Sequence, residues 1–381
     1  MNAVQAKAVR WPAIDLMRGL TVAVMVLVNQ WAGVAGLPAW MKHMPADADA
    51  LSFVDMVFPA FLFIVGMSMP FALQAQLAKA GLSGALRQAA MRVAGLLVLG
   101  VFMVNAEMAP AGFASAAWLL AALAACFVLW GSVSGGPALA WPWRLAGVIV
   151  LLALASVYPH AEGQWTGLQP HWWGILGLIG WAYGLAALIF LLSPAQARLV
   201  VAAAVLPLCL AWFYLLNPSV GGGGHATHLL LVLSGVITAL LMHGPQAPSH
   251  AARWTLALAL ALLAAGFALR PWGGISKIYA TPAWGLLCAG ASALLYLLLQ
   301  QALLRWPASG KVTGGLREAG QHPLLAYLIP FVLGALTSLI GWDWPAALSE
   351  GWAGLLRGGV FLLWVLLLLH LFLRRGLRLR L

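Results

Sequence analysis

Residues 53–77 read FVDMVFPAFLFIVGMSMPFALQAQL, apolar almost throughout, with a single charge, Asp55, near the start. Large and small apolar residues follow one another without a two-residue alternation, so the stretch is no half-buried strand. As a helix at ~1.5 Å per residue it crosses the ~30 Å hydrocarbon core of a bilayer. Outward from it, comparable runs bounded by Pro, Gly or charge fall near 16–34, 88–104, 112–131, 143–158, 172–192, 197–216, 226–243, 252–269, 280–303, 322–341 and 352–374. They predict an all-α polytopic membrane protein with about twelve transmembrane helices, the run at 143–158 being the shortest and the sixth and seventh parted only at Ser193-Pro194.

Composition agrees with that reading. Of 381 residues 63% are apolar and 8% charged, and the mean hydropathy is +0.95, whereas a soluble domain carries about a quarter charged residues. A β-barrel would show alternating segments of about ten residues, and these are absent. The first run holds Asp15 and Arg18 and meets no small-x-small cleavage site before His43, so it reads as a retained span and not as a signal peptide.

Charge orients the chain. With the N-terminus inside, the inner loops and tails collect most of the Lys and Arg, including Lys7, Arg18, Arg87, Arg92, Lys311, Arg317, Arg374, Arg375, Arg378 and Arg380; the outer side keeps Lys42, Arg270, Lys277 and Arg357. Such a bias predicts both termini on the cytoplasmic side of the membrane. It also accounts for the net charge of +11 without a nucleic-acid partner. Cys126, Cys209 and Cys288 lie in separate apolar runs and read as core residues. The Gly221–Gly224 run lacks the Lys-Ser/Thr of a phosphate loop and reads as a turn. With no repeat of about 20–50 residues and no long linker, residues 1–381 form one membrane domain.

Polar groups inside a bilayer are costly and point to function. Asp15 and Arg18 are three residues apart on one helical face, which allows a local ion pair. Asn29 stands eleven residues beyond Arg18, about 16 Å along the same helix. His43 follows in the first outer loop and Asp55 opens the next span from that side, so Asn29, His43 and Asp55 share one level. An Asp can hold an imidazole N–H and an Asn can donate to a developing oxyanion, which marks this level as a candidate site without identifying an enzyme, and each has a purely structural role open to it as well. His225 and His228 are three apart, but without a third ligand they make a poor metal site, and no metal is expected.

Several ordered motifs carry a resemblance. Ile14-Asp15-x-x-Arg18-Gly19-Leu20-Thr21, then Val28-Asn29, His43, and Asp55-x-Val57-Phe58-Pro59-x-Phe61-Leu62-Phe63-Ile64-x-Gly66 resemble the opening of the heparan-α-glucosaminide N-acetyltransferase family, whose bacterial members include the NagX proteins. Fainter likenesses continue through His171-Trp172-Trp173-Gly174, Ile275-Ser276-Lys277 with Thr281, and Gly320-x-His322-Pro323. Where many relatives carry Trp, Ser and Asn, this chain has Ala280, Ala283 and His322, and it looks like a ten-span core with two spans added.

The resemblance implies transfer of an acetyl group from cytosolic acetyl-CoA to the amine of a glucosamine-type sugar on the far side of the membrane. The family's catalytic His falls on His43 and its active-site Asn on Asn29, with Asp55 expected to orient the ring. His43 would serve as general base or carry the acetyl group itself. The donor is expected at the inner face, among Arg18 with its partner Asp15, Arg87, Arg92 and Arg317; Lys277 would touch the donor's pantetheine end or the acceptor. His171 and His322, at span starts, are candidates for the acceptor's path. The resemblance further suggests a homodimer. A rival reading from the spans alone is an amino-sugar transporter, although the internal repeat usual in carriers is not found.

Overall fold

A computed structural model of the chain describes residues 11–132, 141–159, 165–216, 223–306, 313–379 and 381. Lys7, Lys311, Arg380 and Gly221 lie outside them. Helix α1 spans Pro12–Trp31; Pro12 suits a helix start, where its missing N–H costs nothing. Helix α2, Val57–Met108, is broken at Gly81, whose φ of 66° and ψ of −172° are not helical. Ser68 and Arg92 line one cavity, yet a straight helix would set them ~36 Å apart. The chain therefore folds back at Gly81, and α2 is two antiparallel arms joined with no loop.

After it come α3 (Phe113–Trp130), α4 (Trp141–Ser156), α5 (Gly174–Leu192), α6 (Arg198–Leu216) and α7 (Gly223–His243). Helices α8 (Ala251–Leu269), α9 (Pro282–Arg305), α10 (Gly314–Gln321), α11 (Pro323–Leu339) and α12 (Gly351–Arg374) complete the set. Four two-residue strands pair antiparallel: β1 (Gly131–Ser132) with β4 (Arg378–Leu379), and β2 (Tyr158–Pro159) with β3 (Trp165–Thr166). The break expected at Ser193-Pro194 does separate α5 from α6.

Among the described residues nine helices are long and apolar enough to cross a membrane, or ten if the α10–α11 pair, bent by 95°, is one crossing. Helix α4 is shorter than these. The chain is a multi-pass helical membrane protein. Burial is uneven in a way that water could not tolerate. Helix α7 is central, with 83% of its apolar window buried, while α6 and α12 have 17% and expose Leu208, Leu215, Leu363 and Trp364. Side chains of this kind belong against lipid tails or another protein surface.

Small residues set the helices that frame the interior. A Cβ on Gly19 of α1 would lie 1.7 Å from the Leu316 carbonyl oxygen, and one on Gly320 of α10 would lie 1.8 Å from the Asp15 carbonyl oxygen. The two backbones therefore meet glycine to glycine, the usual way of close approach where no hydrophobic effect drives packing. Residues Gln321-His322-Pro323 then turn the chain into α11, Pro323 being unable to continue α10.

Candidate active site

A cavity of about 490 Å³ opens among α1, α2, α5, α11 and the loop before α9. Asn29, His43 and Lys277 line one end of it; Arg18, Ser68, Arg92, Tyr183 and Gln321 line the other, and Val57, Phe58, Phe61, Val65 and Ile179 form the apolar wall between. Arg18 and Asn29 both belong to α1, so the cavity runs for about 16 Å along that helix.

At the first end the imidazole is fixed from below. His43 Nδ1 stands 2.7 Å from Asp55 Oδ1, with the His43 side chain 45% exposed and the Asp55 side chain 2% exposed. The other carboxylate oxygen, Oδ2, accepts from the Ser52 hydroxyl at 2.9 Å, the Met44 backbone N–H at 3.2 Å and the Ser52 backbone N–H at 3.3 Å. Four donors keep this buried carboxylate charged and stationary. With Asp55 accepting from Nδ1–H, Nε2 of His43 is the nitrogen that carries the ring's lone pair. The indole N–H of Trp284 on α9 donates to the Asp55 carbonyl at 3.2 Å, which ties the turn leading into α2 to α9.

Lys277 arrives from a distant loop. Its Nζ lies 3.1 Å from Nδ1 and 3.3 Å from Nε2 of His43. Two loops are laced together to place it. Asp49 accepts from Arg270 Nε at 2.7 Å and from the Ile275 backbone N–H at 2.8 Å, and the Ser276 hydroxyl donates to the Ala46 carbonyl at 3.0 Å. The Thr281 hydroxyl accepts from the Ser276 N–H at 3.0 Å and donates to the Gly274 carbonyl at 2.9 Å, closing the turn before α9. Arg270 holds the Asp49 carboxyl below its usual range, helped by the Ile275 N–H. Burial pushes the Lys277 ammonium below the ordinary lysine range, and the nearby Asp55 charge partly opposes that.

The opposite end is built around Arg18. Its guanidinium donates to the Gly320 carbonyl at 2.7 Å, to Asp15 Oδ1 at 3.3 Å and to the Ser68 hydroxyl. Asp15 is thus a partner of Arg18 and also lies 3.5 Å from Gln321 Nε2. Arg92 stands over the Tyr183 ring at 4.9 Å, in cation–π range. Among the arginines expected at the donor site, Arg18 and Arg92 line the cavity, whereas Arg87 and Arg317 are not part of its wall. Arg87 is exposed and Arg317 half-buried. His322 lines the cavity beside Gln321 and so belongs to the Arg18 end, not to the level of His43. His171 is exposed in a turn, φ 46°, away from the cavity wall. Sequence reasoning missed Ser68, Ser52 and Tyr183. Ser68 was open to discovery, as a polar side chain in the middle of a span.

Two further histidines pack behind the site. His228 sits edge-on to Phe58 at 5.3 Å and to Trp284 at 6.3 Å, and His225 lies 6.4 Å from His228. His228 neighbours the cavity wall through Phe58, and neither histidine is part of that wall.

Residues 10–221, more than half of the chain, match the model of a family described as a domain of unknown function, DUF5009. The match takes in Arg18, Asn29, His43, Asp55 and Arg92 and stops before Lys277 and His322. No curated protein matches the sequence.

Proposed function

The chain belongs to the DUF5009 family, and we propose that it is a transmembrane acetyltransferase moving an acetyl group from cytosolic acetyl-CoA to the amine of a glucosamine-type sugar across the membrane. One observation carries the reading: a His–Asp pair at 2.7 Å stands at one end of a cavity whose other end holds Arg18 and Arg92. An acyl thioester on a long arm needs that separation, with cations for its phosphates at one end and a base at the other. The apolar wall between suits the pantetheine arm. The resemblance to the heparan-α-glucosaminide N-acetyltransferase family supports the same assignment of His43 and Asn29.

In this reaction the acceptor amine attacks the thioester carbonyl. His43 Nε2 takes the proton that the nitrogen sheds as the C–N bond forms, and the tetrahedral oxyanion gathers donors from Asn29 and the Lys277 ammonium. As the oxyanion collapses the C–S bond breaks, and the proton on His43 passes to the leaving thiolate. Asp55 fixes the tautomer and stabilises the imidazolium while it exists. In the two-step variant Nε2 attacks the carbonyl first and the C–S bond breaks, releasing CoA thiolate; the amine then attacks the acetyl-imidazolium, the C–Nε2 bond breaks, and the proton the amine sheds returns the thiolate to thiol.

The same proposal includes a topology. The two arms of α2, the short α4 and the bent α10–α11 pair make twelve crossings with the other helices. The His43 end then faces outward and the Arg18 end inward, in the bacterial inner membrane. Purified protein should release free CoA thiol from acetyl-CoA continuously in the presence of glucosamine, and no more than one equivalent per site in its absence. Uptake of the sugar into vesicles with no thiol release under the same conditions would replace the enzyme by a carrier.

A further inference from the structure

Lys277 is placed as a nucleophile as well as a cation. Its Nζ is almost equidistant from the two ring nitrogens of His43, at 3.1 Å from Nδ1 and 3.3 Å from Nε2. An atom at those distances in the ring plane would overlap ring carbons, so the amine stands over the face of the imidazole. The in-plane lone pair on Nε2 is left clear. An acetyl group brought to Nε2 would lie close to the ring plane and turn a face of its carbonyl towards Nζ. Attack on a carbonyl comes across its face, so the lysine already stands where an acceptor amine has to stand.

The backbone holds the side chain to this place. The Ala280 N–H donates to the Lys277 carbonyl at 3.1 Å, and the neighbouring Ser276 hydroxyl is tied to the Ala46 carbonyl at 3.0 Å, in the loop that carries His43. The amine itself is not neutralised. Among the described residues Nζ makes no ion pair, and the Asp55 carboxylate is turned to His43, Ser52 and Met44. Half-buried and without a counter-ion in contact, the ammonium gives up its proton more readily than a free lysine; burial outweighs the opposing pull of the Asp55 charge. A lysine amine in such surroundings reacts with acyl groups. Lys42 and Lys79 do not line the cavity.

We propose that Lys277 is a self-acetylation site: when no acceptor amine occupies the outer end of the cavity, Nζ takes the acetyl group from the thioester donor, and the amide formed there shuts the site. Nζ, in its amine form, attacks the acetyl carbon, the C–N bond forms and the C–S bond breaks, and the proton shed by the nitrogen passes through His43 Nε2 to the thiolate. Where the acetyl group already sits on Nε2, the C–Nε2 bond breaks instead and the proton goes to the thiolate released before. Either way the products are an amide on Lys277 and one CoA thiol per site. The amide does not return its acetyl group, and it removes the ammonium that would face the oxyanion. The inference rests on the acetyl-CoA reading for the donor, and on the geometry at His43 for the residue modified.

The full-length protein in detergent is incubated with acetyl-CoA, with and without glucosamine, and treated with hydroxylamine, which strips acetyl from imidazole and leaves amides. Peptide masses then give the acetyl content of Lys277, with Lys42 and Lys79 as controls for indiscriminate acetylation. Acetyl should accumulate on Lys277 alone, glucosamine should slow this by roughly tenfold or more by competing for the acetyl group, and His43→Ala should slow it by a similar factor. Turnover of glucosamine measured afterwards should fall in proportion to the acetylated fraction. Lys277→Arg should keep its own starting activity through the same incubation. Steady turnover of glucosamine with Lys277 unmodified, or modified no faster than Lys42 and Lys79, or equally fast in His43→Ala, would overturn the self-acetylation and leave the acetyltransferase standing. Acetyl on Lys277 through His43 in a protein that never acetylates glucosamine would keep the site and remove the proposed acceptor. Neither turnover nor modification, with acetyl-CoA or with the small thioester S-acetyl-N-acetylcysteamine, would overturn both.

Discussion

His43 and Asp55 differ in what surrounds them, and that difference assigns their roles. Asp55 is spent on four donors and is closed to solvent, so it cannot approach a substrate; His43 is half exposed and has one nitrogen unclaimed by the carboxylate. His43→Ala should leave the fold and acetyl-CoA binding intact and lower the acetylation rate by at least ~100-fold, the scale of a positioned general base. A rate within a few-fold of the native one would remove His43 from the chemistry. Lys277 adds a pH dependence whose sign is fixed. Its pKa is lowered by burial, so the ammonium is lost at a lower pH than that of a free lysine. Activity that needs the ammonium should decline on the alkaline side before the usual lysine range is reached. Lys277→Arg should move that decline to higher pH, and a pH–rate profile unchanged by the substitution would exclude the role. The pairing of His43 with Asp55, twelve residues on, was legible in the sequence because both sit at one span boundary. The approach of Lys277 was not, since it depends on Asp49 and Arg270 lacing two loops 221 residues apart.

Helix by helix, hydropathy located the apolar segments well because lipid imposes one length and one requirement, that each backbone polar group be bonded within its own helix. What it could not show was how segments join. The arms of α2 were expected to be two helices with a loop between, and instead helix runs up to Gly81 from both sides, since the residues around it are ordinary helix formers and one glycine supplies the turn. Asn105 was passed over for a related reason: its partner Gln169 is 64 residues away in sequence. Fully buried, it donates to the Val101 and Gln169 carbonyls at 2.7 Å each and accepts from the Gln169 N–H at 3.2 Å, holding the segment before α5 against α2. Asn105→Leu should cost about 1–3 kcal/mol, because it strands the Gln169 backbone groups. A thermal midpoint in detergent equal to the native one would show that water takes its place. At the α1–α10 contact, Gly320→Ala should force α10 away from Asp15 and loosen the Arg18 cradle. Weaker acetyl-CoA binding is expected, and unchanged affinity would mean that the Arg18 end does not hold the donor.

Across the whole molecule, the cations expected outside and those expected inside mark opposite ends of the same cavity. Lys277 and Arg270 stand with His43, and Arg18 and Arg92 with Gln321. On the proposed function these two ends would serve an anionic donor and an acceptor amine. The loop charges led the sequence reading to expect two unlike ends, and it left Ser68 and Tyr183 at the Arg18 end unseen, because what faces a cavity is defined only by how helices pack. The central claim is that one protein joins a donor on one side of a membrane to an acceptor on the other. Proteoliposomes with inward-facing donor sites, loaded with acetyl-CoA labelled in the acetyl group and placed in glucosamine, test it most directly. Labelled N-acetylglucosamine should accumulate outside while CoA thiol accumulates within, and His43→Ala should stop both. Product found only when acetyl-CoA and glucosamine share the same compartment, or sugar entering the vesicles unacetylated, would contradict the account.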